Sequence, residues 1–275
     1  MKYAPSLPER NDNVIREHPL KDFLSLLARL AVLVLLGYFL LGLLVDAVVD
    51  RMGPETEAVL TRLAVVQPEA QPEAVPQADA GRTLRLQQLV DGLRPCARFT
   101  GPANVRLHES AVPNAMVAPG GTMLVFSGLL DQVRSENGLA FVLAHELAHL
   151  AHRDHLRALG RGVVLYGLAA LVTGDGSALA SVLAPVQQLG DAAYSQARES
   201  AADAMALQVL ACRYGHAGGA TEFFEALRAR DADALPGSHY FASHPAMAAR
   251  IDAIHAAANM AGLKSGAVLP LALPK

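Results

Sequence analysis

The apolar run from Phe23 to Val45, FLSLLARLAVLVLLGYFLLGLLV, sets the first limit on how this chain can fold. At about 1.5 Å per residue it makes a helix of roughly 34 Å, enough to span the hydrocarbon core of a bilayer. Arg29 is its only charge, close enough to the leading end to reach the headgroups. Lys2, Arg10, Arg16 and Lys21 precede the run, whereas Asp46, Asp50, Glu55 and Glu57 follow it with Arg51. The basic flank stays in the cytoplasm, so the pattern predicts a single-pass membrane protein with its N-terminus cytoplasmic. The C-terminal bulk then lies outside, on the periplasmic side of an inner membrane if the cell is Gram-negative. A cleaved signal peptide is the competing reading, but the run is long and no A-x-A-like site follows it.

The remainder is neither disordered nor basic. The chain is 52% hydrophobic and 18% charged, with a net charge of −3. No basic stripe or aromatic-basic module stands out, which excludes nucleic acid as an expected partner. The stretch QPEAQPEAVPQADAG, Gln67 to Gly81, has three prolines and reads as an extended tether. We divide the chain into a cytoplasmic segment (1–22), a transmembrane helix (23–45), a juxtamembrane segment with linker (46–81), a folded domain (82–260) and a flexible or partner-docking tail (261–275). Cys96 and Cys212 either form a disulfide, if the domain is outside the cytoplasm, or remain two separate thiols.

Within the domain, NVRLHES (Asn104–Ser110) alternates apolar and polar residues as a strand does. Pro119-Gly120-Gly121 forces a turn between Met116-Val117 and the run Met123–Phe126. These segments predict a small antiparallel sheet, one edge of which would take an extended peptide by strand addition. A helix follows, capped by Ser135 and carrying LAHELAHLAHRDH from Leu143 to His155. His145 and His149 lie four residues apart on one helix face, a spacing that lets both rings bind one Zn²⁺. Glu146 is turned about 100° away from His145, where a carboxylate would reach a water on the metal rather than the metal itself. The intervening Leu147, Ala148 and Leu150 are apolar, so the helix belongs in the core, where unpaired imidazoles would be costly. His152 and His155 read as polar groups outside the metal's coordination.

A catalytic zinc needs a third protein ligand. The best source is YSQARESAADAMAL, Tyr194–Leu207, where Glu199 could ligate and Asp203, one turn on, could hydrogen-bond a ligating histidine. The same charges also fit a solvated helix face. The apolar run Gly162–Val172 is too short to cross a bilayer and predicts a helical hairpin over the site.

Four blocks in order resemble the HtpX-like and CAAX-prenyl-protease-like zinc metallopeptidase family of the gluzincin clan. They are NAMVAPGG with FSGLL, VLAHELAHLAHRD, YSQARESAADAMAL, and SHPAMAARI from Ser243 to Ile251. Gln196 stands where that family often has arginine. The resemblance implies that His145, His149 and Glu199 bind one Zn²⁺ per chain, that Glu146 is the catalytic base, and that Asp203 supports a ligand. It places His244 and Arg250 near the cleft, either stabilising an oxyanion or serving as a helix start and a structural ion pair. The expected fold is α+β and mostly helical, a gluzincin-like metallopeptidase domain with a small sheet behind one transmembrane helix. The expected activity is zinc-dependent endopeptidase cleavage of polypeptides, such as misfolded membrane or exported proteins, in envelope quality control. The rival readings are a latent or chaperone-like zinc protein and a purely structural metal site. Oligomeric state is not legible.

Overall fold

The structure, a computed structural model, describes residues 19–53, 55–57, 59, 77–174, 196–231 and 247–274. The chain divides after Leu44 into two units. Helix α1 (Pro19–Arg51) contains the whole apolar run and, among the described residues, is the one helix long and apolar enough to cross a membrane. Its large side chains up to Leu44, Leu41 apart, are exposed. A helix satisfies its own backbone groups, which hydrocarbon requires of any segment it surrounds.

The second unit starts at Val45. Helix α2 (Gln77–Ala97) buries Leu86, Leu89, Val90 and Leu93 on one face and leaves Leu84 exposed. Three strands follow, β1 (Asn104–His108), β2 (Ala115–Ala118) and β3 (Thr122–Phe126). Their order is β1-β3-β2. β2 and β3 form the expected antiparallel hairpin, with Met116 opposite Leu124. The turn between them needs Gly121, whose φ is +74° and whose added Cβ would lie 2.1 Å from the Pro102 carbonyl oxygen.

β1 pairs parallel to β3, so the sheet is mixed rather than wholly antiparallel. Two chain reversals return β3 to the direction of β1, and β3 then inserts between its two predecessors. Local alternation reports that a segment is a strand but not which neighbour it joins. After the short helix α3 (Ser127–Leu130) comes α4 (Glu136–Ala151), the histidine helix. Ser135 caps it by accepting from the Gly138 N–H at 2.9 Å. Every residue of α4 from Asn137 to Leu150 is buried, packed among α2, β2 and the helix that carries Glu199.

The chain reverses at Arg153, which adopts a φ of 56°, and enters α5 (Asp154–Thr173). The apolar run Gly162–Val172 is the second half of α5; the other arm of the expected hairpin falls outside the described residues. Helices α6 (Gln196–Tyr214), α7 (Glu222–Asp231) and α8 (Met247–Met260) complete the unit. Cys96 at the end of α2 is disulfide-bonded to Cys212 near the end of α6. The tail read as flexible is fixed along the start of α4. Leu271 N–H donates to Arg134 O, Glu136 N–H to Leu269 O, and Leu269 N–H to Asn137 Oδ1. Leu263 and Leu271 pack on the core, so apolar burial holds what looked like a featureless terminus.

Candidate metal centre

His145 and His149 point from one face of α4 towards Glu199, in the first turn of α6. All three are buried, and their ligand atoms lie within 4.8 Å of one another. His145 Nε2 is 2.9 Å from His149 Nε2, His149 Nε2 is 3.2 Å from Glu199 Oε1, and His145 Nε2 is 3.4 Å from Glu199 Oε2. A tetrahedral Zn²⁺ with bonds of about 2.0–2.1 Å separates its ligand atoms by about 3.3 Å. The spacing and the donor set of two imidazoles and one carboxylate fit that ion.

Each histidine is oriented through its other nitrogen. His145 Nδ1 lies 3.0 Å from Asp203 Oδ1, and His149 Nδ1 lies 2.9 Å from Asp154 Oδ2. An N–H donated from Nδ1 to a carboxylate leaves the Nε2 lone pair for a metal and raises its basicity. Burial disfavours a charge on His149, but Asp154 and Glu199 outweigh it and raise the ring to about 9. A metal ion would displace that proton from Nε2. Asp203 is held below the ordinary carboxylate range: burial opposes its charge, and His145 and Arg250 overcome that opposition.

Arg250, on α8, closes the far side of the cluster. Its Nε and Nη2 fork onto Asp203 Oδ2 and Oδ1, both at 2.7 Å, and its Nη1 reaches Glu199 Oε2 at 3.0 Å. Arg250 Nη2 also lies 2.9 Å from His145 Nδ1. One nitrogen cannot both donate to Asp203 and accept from Arg250. The charge-assisted fork onto Asp203 is the stronger partner for the arginine, so we take Nδ1–H to point at Asp203. Arg250 is thus buried against two carboxylates of the cluster, the geometry of its structural-pair reading.

Glu146 is fully buried beside the two histidines. Burial pushes its carboxyl up to about 7, against the opposing pull of His149 and His145 and with Glu199 adding to the rise. A carboxylate near that value is suited to take up and release a proton around neutral pH. His152 is partly exposed, 4.0 Å from Asp154, and His155 is buried 3.7 Å from Glu57; neither is part of the three-residue cluster. His244 falls outside the described residues. Asp154 was not singled out from the sequence. Its signal is its place three residues beyond the His149–Ala151 turn, but its reach back to His149 depends on the left-handed reversal at Arg153.

The model of peptidase family M48 matches residues 80–258, well over half of the chain. The chain belongs to peptidase family M48. Among characterised proteins, it is 56% identical over 41 residues to the mitochondrial metalloendopeptidase OMA1 of Schizosaccharomyces pombe, covering 15% of this chain and 12% of the relative. It is 41% identical over 63 residues to the protein of that name from Saccharomyces cerevisiae, covering 23% and 18%. It is 34% identical over 118 residues to the mitochondrial metalloendopeptidase OMA1 of Bos taurus, covering 39% and 23%. The matches thus span less than a quarter of these relatives' own lengths.

Proposed function

We propose that the chain is a membrane-anchored zinc endopeptidase. The observation that carries this reading is the convergence of His145, His149 and Glu199 ligand atoms within 4.8 Å, with Glu146 buried beside them. Zn²⁺ held by those three side chains would supply a Lewis acid for the scissile carbonyl and lower the pKa of a bound water. Glu146 takes the proton of the attacking water on its carboxylate and passes it to the leaving amine. Asp203 and Asp154 keep both rings in the tautomer that presents Nε2 inwards, and Arg250 holds Asp203 and Glu199 in place. We assign Arg250 to that positioning role and keep His244, on the family resemblance, for the oxyanion.

Extended polypeptide fits beside the sheet, at the edge strand β2 that packs against α4. The apolar helix α1 and the charge asymmetry around it support anchoring with the N-terminus cytoplasmic and the catalytic unit outside. The relatives carry the name mitochondrial metalloendopeptidase, and membrane-bound or exported proteins in quality control are the substrate class we infer.

The test uses the full chain in detergent. One zinc per chain and casein cleavage that disappears in Glu146→Gln, with zinc retained, is the expected result. Zinc without cleavage in either protein would favour a latent or chaperone-like role. A folded chain that takes up no zinc would sink the metal-centre reading.

A further inference from the structure

The strongest feature outside the cluster is a chain of charges that runs from it to the end of α1. Asp154 accepts from His149 through Oδ2, and its Oδ1 lies 3.5 Å from Arg198 Nε. Arg198 precedes Glu199 on α6, and its Nη2 donates to Asp46 Oδ1 at 2.9 Å. Asp46 directly follows the apolar run and also pairs with Arg157 at 3.3 Å and Arg161 at 3.1 Å. Glycine permits the approach that brings these groups together: a Cβ on Gly160 would sit 2.7 Å from Val45 Cγ1.

We infer that Asp46, at the root of the membrane anchor, is a positioning residue for the metal centre, acting through Arg198 and Asp154 on His149. This inference rests on the metal-ligand reading above. The physical argument is one of charge balance. Three guanidinium groups surround Asp46, and among the described residues Asp154, only 2% exposed, is the other carboxylate paired with Arg198. With Asp46 neutralised, Arg198 is drawn wholly to Asp154. It then competes with the His149 Nδ1–H for that carboxylate, and the ring loses the partner that fixes its orientation. Arg198 is also the backbone neighbour of Glu199, so its position bears on two of the three ligands. A plain structural staple would predict something different: lower stability with unchanged metal affinity.

The experiment is a zinc dissociation constant, measured by chelator competition on the full chain in detergent, alongside thermal melts of the metal-free proteins. Partners that orient a metal-binding histidine change affinity by about 10–100-fold when removed. Asp154→Asn should fall in that range, and Asp46→Asn, one link further out, should weaken zinc by roughly 3–10-fold. Asp50→Asn, whose carboxylate pairs with Arg157 alone among these arginines, should stay within about twofold. Arg198→Lys keeps the charge but loses the fork, and should match Asp46→Asn. The double variant should lose no more than the larger single, because both break one chain. Wild-type affinity in Asp46→Asn, with zinc lost in His149→Ala, would overturn the inference and leave the metal centre standing. Unchanged affinity in His149→Ala would instead remove the metal-centre reading itself. Should Asp46→Asn fail to fold, Arg198→Lys decides alone: unchanged zinc affinity there overturns the inference.

Discussion

At the scale of single residues, the cluster is a set of mutually dependent charges. Asp203 shows this best, since it accepts from His145 and carries the fork of Arg250. Asp203→Asn keeps the shape but removes the charge, so zinc affinity is expected to drop by about 10–100-fold while the fold survives. Chelator competition checks this, and wild-type affinity would refute it. Arg250→Ala should do more harm. It leaves Asp203 and Glu199 as buried carboxylates short of a cation, a type of change that costs about 3–5 kcal/mol, and the melting temperature of the metal-free chain should fall with zinc affinity. The pairing of His145 with His149 was legible from spacing alone, because a helix converts four residues into one turn. Glu199 and Asp203 were legible as a pair on a second helix, though charge pattern alone also allowed a solvated face. Asp154 and Arg198 were not. Their roles arise where α4, α5, α6 and the end of α1 meet, and no local period encodes that meeting.

At the scale of elements, α4 is fixed at its start by its own cap and by a side chain from α7. At its start, Ser135 caps the helix, and Glu222 from α7 accepts from the Ser135 N–H at 3.0 Å and from the Ser135 hydroxyl. Ser135→Ala removes the cap and one partner of a glutamate, and should cost about 1–2 kcal/mol, read as a lower melting temperature. Unchanged melting would show that the tail strand and Glu222 hold this end without it. The Cys96–Cys212 disulfide spans 116 residues and joins α2 to the helix of Glu199. A loop of that length corresponds to about 4–5 kcal/mol in the chain-entropy account. Replacing both cysteines with serine should therefore lower the melting temperature well beyond the Ser135→Ala effect. The sequence made both helices and both cysteines visible, but not their distance. Strand existence was visible for the same reason as helix existence, periodicity, whereas the parallel pairing of β1 with β3 is a property of the whole sheet.

At the scale of the molecule, the described residues just after the apolar run, up to Glu57, belong to the unit that holds the cluster. Arg153 donates to the carbonyls of Val49 at 3.1 Å and Met52 at 2.8 Å, capping the end of α1 with the residue that turns α4 into α5. Glu57 closes the same corner, 3.7 Å from His155 and 3.6 Å from Arg153. Its carboxyl lies below the ordinary value of 4.5, chiefly through His155, with burial opposing and Arg153 assisting. A carboxyl depressed in the folded state contributes stability above its unfolded pKa and loses it as pH falls through the folded one. The melting temperature of Glu57→Gln should therefore lie below wild type at pH 7, and the gap should narrow steadily as the pH drops below 4.5. A gap that stays constant through that range would mean Glu57 acts by packing instead of charge. A narrowing gap would establish the corner as an electrostatic clamp. Fragments that begin after it, such as one starting at Gly81, would then be expected to melt lower than the full chain.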